Sequence, residues 1–306
     1  MPLKIIFMGT PKFSIKSLER IYKSQHKIQA VYSQPPKRKS RGQKVISSPI
    51  HNLAEKLGLE VRTPSNLESE GEYNFFKKNK PDVVVVVAYG KLIPKKILDI
   101  PQILFINLHA SLLPKFRGAS PIARAILNLE KETGITIMKI REKLDSGPYM
   151  RQIKIPIQTN TSAGELEDKL SEIGAKSLIE SLDVIERGKE KFIEQDDDKA
   201  SYAPKINKDE TKINWSLDAE QVIAQINAFN PNPGAWFLHA NKRVKIFDAV
   251  IVNKEGNPGE VLENNLTISC KKKSIKIMKL QREGKSIVDA EEFLLGNQIN
   301  KGAKLN

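Results

Sequence analysis

Five consecutive valines, Val83–Val87, constrain the fold more than any other feature of the sequence. A run of β-branched residues without a polar position is typical of a strand in a parallel sheet whose two faces are both covered by helices. Residues 4–8 read as a second buried strand, which a helix at 13–25 and a strand at 28–33 extend into a βαβ unit. The N-terminal part of the chain therefore predicts an α/β fold.

The alternation of helix and strand continues beyond this unit. Ser48 is a suitable N-cap for a helix that begins at Pro49. Further strands are predicted at 103–108 and 135–140, and a long amphipathic helix is predicted at 162–187. The pattern indicates a doubly wound, mostly parallel sheet of the Rossmann-like kind, in which ligands bind beyond the carboxyl ends of the strands.

The character of the sequence changes after this helix. Residues 189–212 are charged and poor in apolar side chains, and short strands separated by Asn, Gly and Pro turns dominate from residue 235 onward. Such spacing is typical of a small β-barrel of the OB-like type. We therefore predict an α/β domain at 1–189, a linker at 190–206 and a β-barrel domain at 207–306.

Composition excludes several classes of protein. The 306 residues are 40% apolar and 28% charged, which is typical of a globular chain with a substantial core. No apolar run approaches the ~18 residues that a membrane helix needs, and the N-terminus resembles neither a signal peptide nor a transit peptide. The single cysteine, Cys270, excludes an internal disulfide and a Cys-rich zinc cluster. We expect a monomer in a reducing cytoplasm, with no membrane attachment.

Positive charge is concentrated in two segments. The net charge is +14, and the first hundred residues hold 19 Lys or Arg against 8 Asp or Glu. No acidic residue occurs between Glu19 and Glu55, and this asymmetry favours a polyanionic partner. A lysine-rich genome composition is the alternative explanation. The basic residues of interest are Lys37, Arg38, Lys39, Arg41 and Lys44 in the first segment and Lys271, Lys272 and Lys273 near the C-terminus.

Two polar residues come at the end of a predicted strand. Asn107 and His109 are two positions apart, so a strand places both side chains on the same face. A loop restrained by Pro and Gly follows them, in the place where open α/β sheets bind ligands. Asp145 lies just past the next strand, where its carboxylate is a candidate to orient His109 or to take a proton. The alternatives are a structural histidine and a simple Asp-Ser-Gly turn.

The motifs that surround these residues resemble those of the folate-dependent formyltransferases. They are Asn-x-His followed by Ser-Leu-Leu-Pro-x-x-Arg-Gly, then Gly-Ile-Thr at 134–136 and Leu-Asp-Ser-Gly at 144–147. Met-Gly-Thr-Pro at 8–11 and Asn-Pro-x-Pro-Gly-Ala at 230–235 extend the similarity to roughly residue 262. Within the family, the whole chain resembles the branch that acts on methionyl initiator tRNA.

This resemblance implies the reaction and its catalytic residues. The formyl group of 10-formyltetrahydrofolate passes to the α-amine of methionine on initiator tRNA. Asn107 is then expected to donate a hydrogen bond to the developing oxyanion, and His109 to share that role or shuttle a proton. Asp145 is expected to fix the imidazole tautomer and accept the proton. No metal is implied, because the folate already carries an activated formyl group.

The resemblance also implies binding residues. Those for the folate are Val87, Ala88, Tyr89, Gly90, Ser111, Leu112, Leu113 and Pro114. For the tRNA, the segment 34–44 is expected to be a mobile loop that orders in the acceptor-stem region, with Arg41 making the main contact. Apart from the resemblance, the concentration of lysines at 271–273 predicts a second phosphate track.

Two other functions stay open from the sequence. A formyltransferase for a small amine has the same chemistry. One that acts on a glycinamide ribonucleotide would resemble only the α/β half of the chain, and one that acts on an amino-sugar nucleotide would not predict the basic segment. A non-catalytic RNA-binding protein on the same scaffold is the other alternative. It does not require Asn107, His109 and Asp145 to be retained together.

Overall fold

The computed structural model describes residues 1–39 and 44–305. Contacts within the chain divide it into two compact units. The first comprises Met1–Pro121, Thr133–Ile155 and Glu167–Ala203, and the second comprises Ile122–Glu132, Pro156–Leu166 and Pro204–Asn306. The predicted linker at 190–206 and the domain limits beside it stay predictions. Within the described residues, no helix is both long enough and apolar enough to span a bilayer.

The first unit is built on a seven-stranded sheet. Its strands and those of a separate hairpin are β1 (Lys4–Gly9), β2 (Lys27–Tyr32), β3 (Lys37–Lys39), β4 (Lys44–Ile46), β5 (Val61–Arg62), β6 (Val83–Val87), β7 (Leu104–His109), β8 (Glu132–Lys139) and β9 (Tyr149–Pro156). The sheet has the order β5-β2-β1-β6-β7-β8-β9. Its first five strands are parallel, whereas β8 runs antiparallel to β7. The predicted doubly wound, mostly parallel sheet is confirmed.

Helices follow the strands along the chain. They are α1 (Ile15–Tyr22), α2 (Pro49–Lys56), α3 (Glu70–Asn79), α4 (Lys95–Leu98), α5 (Pro121–Leu127) and α6 (Ala163–Glu186). Ser48 caps α2 as predicted, since its side chain accepts a hydrogen bond from the backbone N–H of His51 at 3.0 Å. All five valines of β6 are buried, in agreement with a strand at the centre of the sheet.

The register of the sheet determines where the polar residues of β7 lie. Asn107 is opposite Met138 and His109 is opposite Thr136 on the antiparallel neighbour β8. On the other side, Asn107 is beside Val86 of β6, one residue before that strand ends. The carboxyl ends of β6 and β7 therefore lie next to one another at one edge of the sheet.

The second unit contains an antiparallel sheet, as the barrel prediction requires. Its elements are α7 (Ala219–Phe229), β10 (Ala235–His239), β11 (Lys242–Val252), β12 (Val261–Glu263), β13 (Thr267–Ser269), β14 (Ser274–Arg282), β15 (Ile287–Asp289) and α8 (Ala290–Gly296). The strand order is β10-β11-β14-β13-β12, and β15 pairs with β14. Asp218 and Gln221 form a capping box at the start of α7. Apolar residues from β10, β11 and β14 fill the core of this unit.

The basic segment 34–44 differs from the predicted loop. Its described ends form the antiparallel hairpin β3–β4, in which Lys37 pairs with Ile46. The β-branched residues Val45 and Ile46 favour a strand here, although both are exposed. Arg41, the predicted tRNA contact, lies outside the described residues.

Gly134 in β8 is a site where the neighbouring strand leaves no room for a side chain. A Cβ at this position overlaps the backbone carbonyl oxygen of Ile153 in β9 and lies 2.6 Å from Leu112 Cδ2. Since a strand backbone cannot yield as a side-chain tip does, we expect Gly134→Ala to lower the free energy of unfolding by about 3 kcal/mol in chemical denaturation. The control is Gly71→Ala in α3, where nothing lies within 4 Å. A Gly134→Ala variant as stable as the parent protein would contradict the β8–β9 pairing.

Candidate active site

Asn107 presents an unpaired amide at the end of β7. Its side chain is half-buried, and it makes no hydrogen bond to any residue of the described ranges. It shares a strand face with His109, because the two residues are separated by one position. A carboxamide with free N–H donors is thus available beside the imidazole.

The imidazole of His109 is held from both sides. His109 is buried, and its Nε2–H donates a hydrogen bond to the carbonyl oxygen of Phe116 at 3.0 Å. A carbonyl oxygen only accepts, so this contact places a proton on Nε2. Nδ1 lies 3.7 Å from Asp145 Oδ2. The Phe116 carbonyl fixes the tautomer in the structure, and not Asp145, to which the resemblance assigns that role. Nδ1 is therefore the ring nitrogen that faces the carboxylate.

Asp145 comes from the turn that follows β8. Its Oδ2 accepts a hydrogen bond from the backbone N–H of Gly118 at 2.8 Å, and its backbone is left-handed with φ of 48°. Left-handed backbone is uncommon for non-glycine residues, and Asp and Asn tolerate it better than most. The turn aims the carboxylate at the ring of His109. The structure therefore brings Asp145 next to His109, which lies on the same strand as Asn107.

Thr136 anchors the loop that carries the predicted folate contacts after β7. Its hydroxyl donates to the Ser111 carbonyl at 2.7 Å and accepts from the Leu113 N–H at 3.1 Å. The Ser111 hydroxyl is itself buried and donates to the Lys115 carbonyl. Of the four residues predicted here, Ser111 and Leu113 are buried, whereas Leu112 and Pro114 reach the surface in part.

The segment after β6 exposes backbone rather than large side chains. Val87 and Tyr89 are buried, and burial raises the pKa of the Tyr89 hydroxyl to about 12. Ala88 and Gly90 are exposed and have φ of 48° and 81°. Gln34 Nε2 donates to the carbonyls of Tyr89 and Gly90, both at 3.1 Å. The backbone of this segment and its two small residues are thus the parts that are exposed.

Gln34 and Thr10 are contacts of this segment that the sequence analysis did not single out. The Thr10 hydroxyl donates to the Tyr89 carbonyl at 2.8 Å. A Cβ at Gly90 would lie 2.5 Å from Gln34 Nε2, so only glycine leaves the Gln34 amide where it is. Thr10 belongs to one of the family motifs, which is a usable signal, whereas Gln34 has no distinguishing pattern around it.

The predicted tRNA-binding residues lie in different local environments. Lys37 donates to Gln34 Oε1 at 2.8 Å. Arg38, Lys39 and Lys44 belong to the hairpin strands, and their side chains lie outside the described part of the chain.

The C-terminal lysines are all exposed, and two of them face acidic residues. Lys272 Nζ is 4.0 Å from Asp218 Oδ2. Lys273 Nζ is 2.5 Å from Glu220 Oε1, a contact that holds the pKa of Glu220 below its usual value. A phosphate group that binds Lys272 or Lys273 would compete with these carboxylates.

The folds and motifs described above match one protein family along nearly the whole chain. The formyl transferase model matches residues 3–182, and the model of the formyl transferase C-terminal domain matches residues 205–298. The chain belongs to the formyl transferase family and is an enzyme of formyl transfer.

Similar proteins carry a more specific name. The methionyl-tRNA formyltransferase of Pelagibacter ubique (strain HTCC1062) is 48% identical over 307 residues, which cover 100% of this chain and 99% of the relative. The methionyl-tRNA formyltransferase of Jannaschia sp. (strain CCS1) is 41% identical and covers 99% of this chain and 100% of its own length.

Solved structures share the fold at low sequence identity. The methionyl-tRNA formyltransferase from Clostridium thermocellum has a TM-score of 0.60 and 16% identity, with 83% of this chain and 95% of that chain covered. HypX from Aquifex aeolicus in complex with tetrahydrofolic acid has a TM-score of 0.64 and 18% identity, and covers 99% of this chain and 51% of that chain. At these identities the likeness shows the fold alone.

Proposed function

We propose that this chain transfers a formyl group from 10-formyltetrahydrofolate to the α-amine of methionyl initiator tRNA. One observation carries the chemistry: the unpaired Asn107 amide lies on the same strand face as His109, whose Nδ1 is 3.7 Å from Asp145. Relatives of full length that are named methionyl-tRNA formyltransferase support the choice of substrate.

The segment after β6 suits the flat, polar ring of a folate. Its exposed backbone offers donors and acceptors for the ring edge, and the missing side chain at Gly90 lets the Gln34 amide lie against the segment. Leu92 is 75% exposed just beyond it, which provides an apolar surface for an aromatic ring. The bound folate would supply a formyl group already activated for transfer. The residues present therefore fit this cosubstrate.

Asn107, His109 and Asp145 each have a different role in the proposed reaction. The Asn107 amide donates a hydrogen bond to the formyl oxygen as negative charge develops there. His109 takes a proton from the attacking amine at Nδ1, because Nε2 already carries one that bonds the Phe116 carbonyl. Asp145 stabilises the resulting imidazolium. As the new carbon–nitrogen bond forms and the bond to the folate nitrogen breaks, His109 returns the proton to that nitrogen.

The cluster Lys271, Lys272 and Lys273 gives a test of tRNA binding. We expect the triple substitution to Ser to lower the slope of log affinity against log salt by about 1, and not by the roughly 2.7 that three unpaired phosphate contacts would give. The reason is that Lys272 and Lys273 already face Asp218 and Glu220. Filter binding at several salt concentrations measures the slope. The exposed Lys56→Ser is the control, and an unchanged slope in the triple variant would remove this cluster from the tRNA interface.

A direct assay distinguishes the proposed substrate from the alternatives. Purified protein is incubated with labelled 10-formyltetrahydrofolate and one acceptor in each reaction. The acceptors are methionyl initiator tRNA, methionyl elongator tRNA, an amino-sugar nucleotide and glycinamide ribonucleotide. We expect label on the initiator tRNA alone. Label on a small amine would replace the proposed substrate, and label on none of them would refute the proposal.

We further propose a cytoplasmic monomer, for which light scattering should give a mass near 34.4 kDa.

A further inference from the structure

Arg117 lies at the centre of a hydrogen-bonded group behind the candidate active site. Its side chain is fully buried. Nε and Nη2 donate to Gln195 Oε1 at 3.1 and 2.8 Å, and Nη2 also donates to Asp197 Oδ1 at 2.6 Å. Nη1 is also buried, but it has no acceptor among the described residues. The contacts of Nε and Nη2 fix the side chains of Arg117 and Gln195 relative to each other, because a buried guanidinium needs acceptors to offset its desolvation.

Gln195 connects this group to the turn that carries Asp145. Its Nε2 donates to two carbonyl oxygens, those of Asp145 at 2.9 Å and Gly147 at 2.7 Å. One amide group therefore holds both ends of the turn. Because Asp145 has an uncommon left-handed backbone, the turn needs such contacts to keep its carboxylate aimed at His109.

The backbone beside Arg117 contacts both candidate catalytic side chains. The preceding carbonyl, that of Phe116, accepts the proton of His109 Nε2 at 3.0 Å. The following N–H, that of Gly118, donates to Asp145 Oδ2 at 2.8 Å. Any shift of Arg117 would thus change the position of the imidazole and of the carboxylate together.

We infer that Gln195 and Arg117 are positioning residues that set the separation between His109 and Asp145. This inference rests on the proposed function, because it assigns Gln195 and Arg117 a role in a reaction that His109 and Asp145 carry out. Neither residue needs to touch a substrate for this role. Misplacement of catalytic groups by about 1 Å costs up to about a hundredfold in rate, so the effect is measurable.

The substitution Gln195→Glu removes the hydrogen-bond donor of the Gln195 side chain and keeps its acceptor. The carboxylate still accepts from Arg117, but it cannot donate to the carbonyls of Asp145 and Gly147. We expect kcat to fall about 10–30-fold, with KM for both substrates within about twofold of the wild-type value. The control is Gln158→Glu, which adds the same charge at an exposed position in the other unit. Its kcat should stay at the wild-type value.

A double variant shows whether Gln195 acts through Asp145. In an Asp145→Asn background, Gln195→Glu should cost less than about threefold in further activity, because the group that it positions is already impaired. Additive losses would overturn the inference, as would an unchanged kcat with a lower unfolding midpoint, or a rise in KM alone.

If Gln195→Glu fails to fold, Asp197→Asn takes its place. Asp197 has a 61% exposed side chain, and we expect kcat to fall about threefold there; an unchanged kcat would overturn the inference.

Failure of this inference is distinguishable from failure of the proposed function. If the wild-type protein formylates none of the tested amines, the proposed function fails. If the wild-type protein formylates methionyl initiator tRNA and Asp145→Asn is slow, while Gln195→Glu is as fast as the wild type, only the positioning role fails.

Discussion

Replacing Asn107 with alanine is expected to lower kcat for formyl transfer by about 10²–10³-fold, because one preorganised donor to a developing oxyanion has this value. The side chain makes no hydrogen bond to the described residues, so its removal breaks no hydrogen bond of the fold. Rapid-quench measurement of a single turnover separates the chemical step from binding. The dissociation constants for tRNA and folate should stay within about twofold of those of the wild type.

Asn128→Ala is a matched control for this substitution, since Asn128 is an exposed asparagine beyond α5. It should leave the single-turnover rate unchanged. If Asn107→Ala weakens tRNA or folate binding as much as it slows turnover, Asn107 is a binding residue and the oxyanion role is wrong.

Replacing Asp145 with asparagine is expected to lower kcat by about 10²–10⁴-fold. The substitution removes the charge that faces His109 Nδ1 at 3.7 Å but keeps an oxygen to accept the Gly118 N–H. The fold should therefore survive while the imidazolium loses its counter-charge. Steady-state kinetics with methionyl initiator tRNA measures the loss, and thermal unfolding should show a midpoint close to that of the wild type.

Asp99→Asn is the control for Asp145→Asn, because Asp99 is an exposed carboxylate that pairs only with Lys95 among the described residues. Its kcat should equal that of the wild type. A fall in kcat for Asp145→Asn that merely follows a loss of folded protein would assign Asp145 a structural role.

The main sheet could be predicted from sequence because its signals are local. Val83–Val87 is a strand with the predicted bounds, and Ser48 caps α2. The helix α3 was not predicted. Its buried residues are Glu72 and Phe76, and a glutamate does not contribute to an apolar helix periodicity. Glu72 is buried because Tyr32 and Arg62 bind its carboxylate, a contact between distant parts of the chain.

The candidate site was predictable in its side chains but not in its supports. The spacing of Asn107 and His109 and the family motifs point to the residues that face the substrate. Nothing in the sequence indicates that the Phe116 carbonyl fixes the imidazole tautomer, since backbone groups carry no residue-specific signal. Gln195 lies in the charged stretch that reads as a linker, and its contact with the Asp145 turn spans 50 residues of chain.

A crystal structure with a stable analogue of 10-formyltetrahydrofolate and a methionyl-adenosine fragment would show whether Asn107 and His109 contact the reacting groups. We predict that the formyl oxygen lies about 3 Å from Asn107 Nδ2 and that the methionyl amine lies within hydrogen-bond reach of His109 Nδ1. A formyl group bound away from the end of β7, with Asn107 and His109 touching neither ligand, would refute the catalytic roles proposed for these two residues.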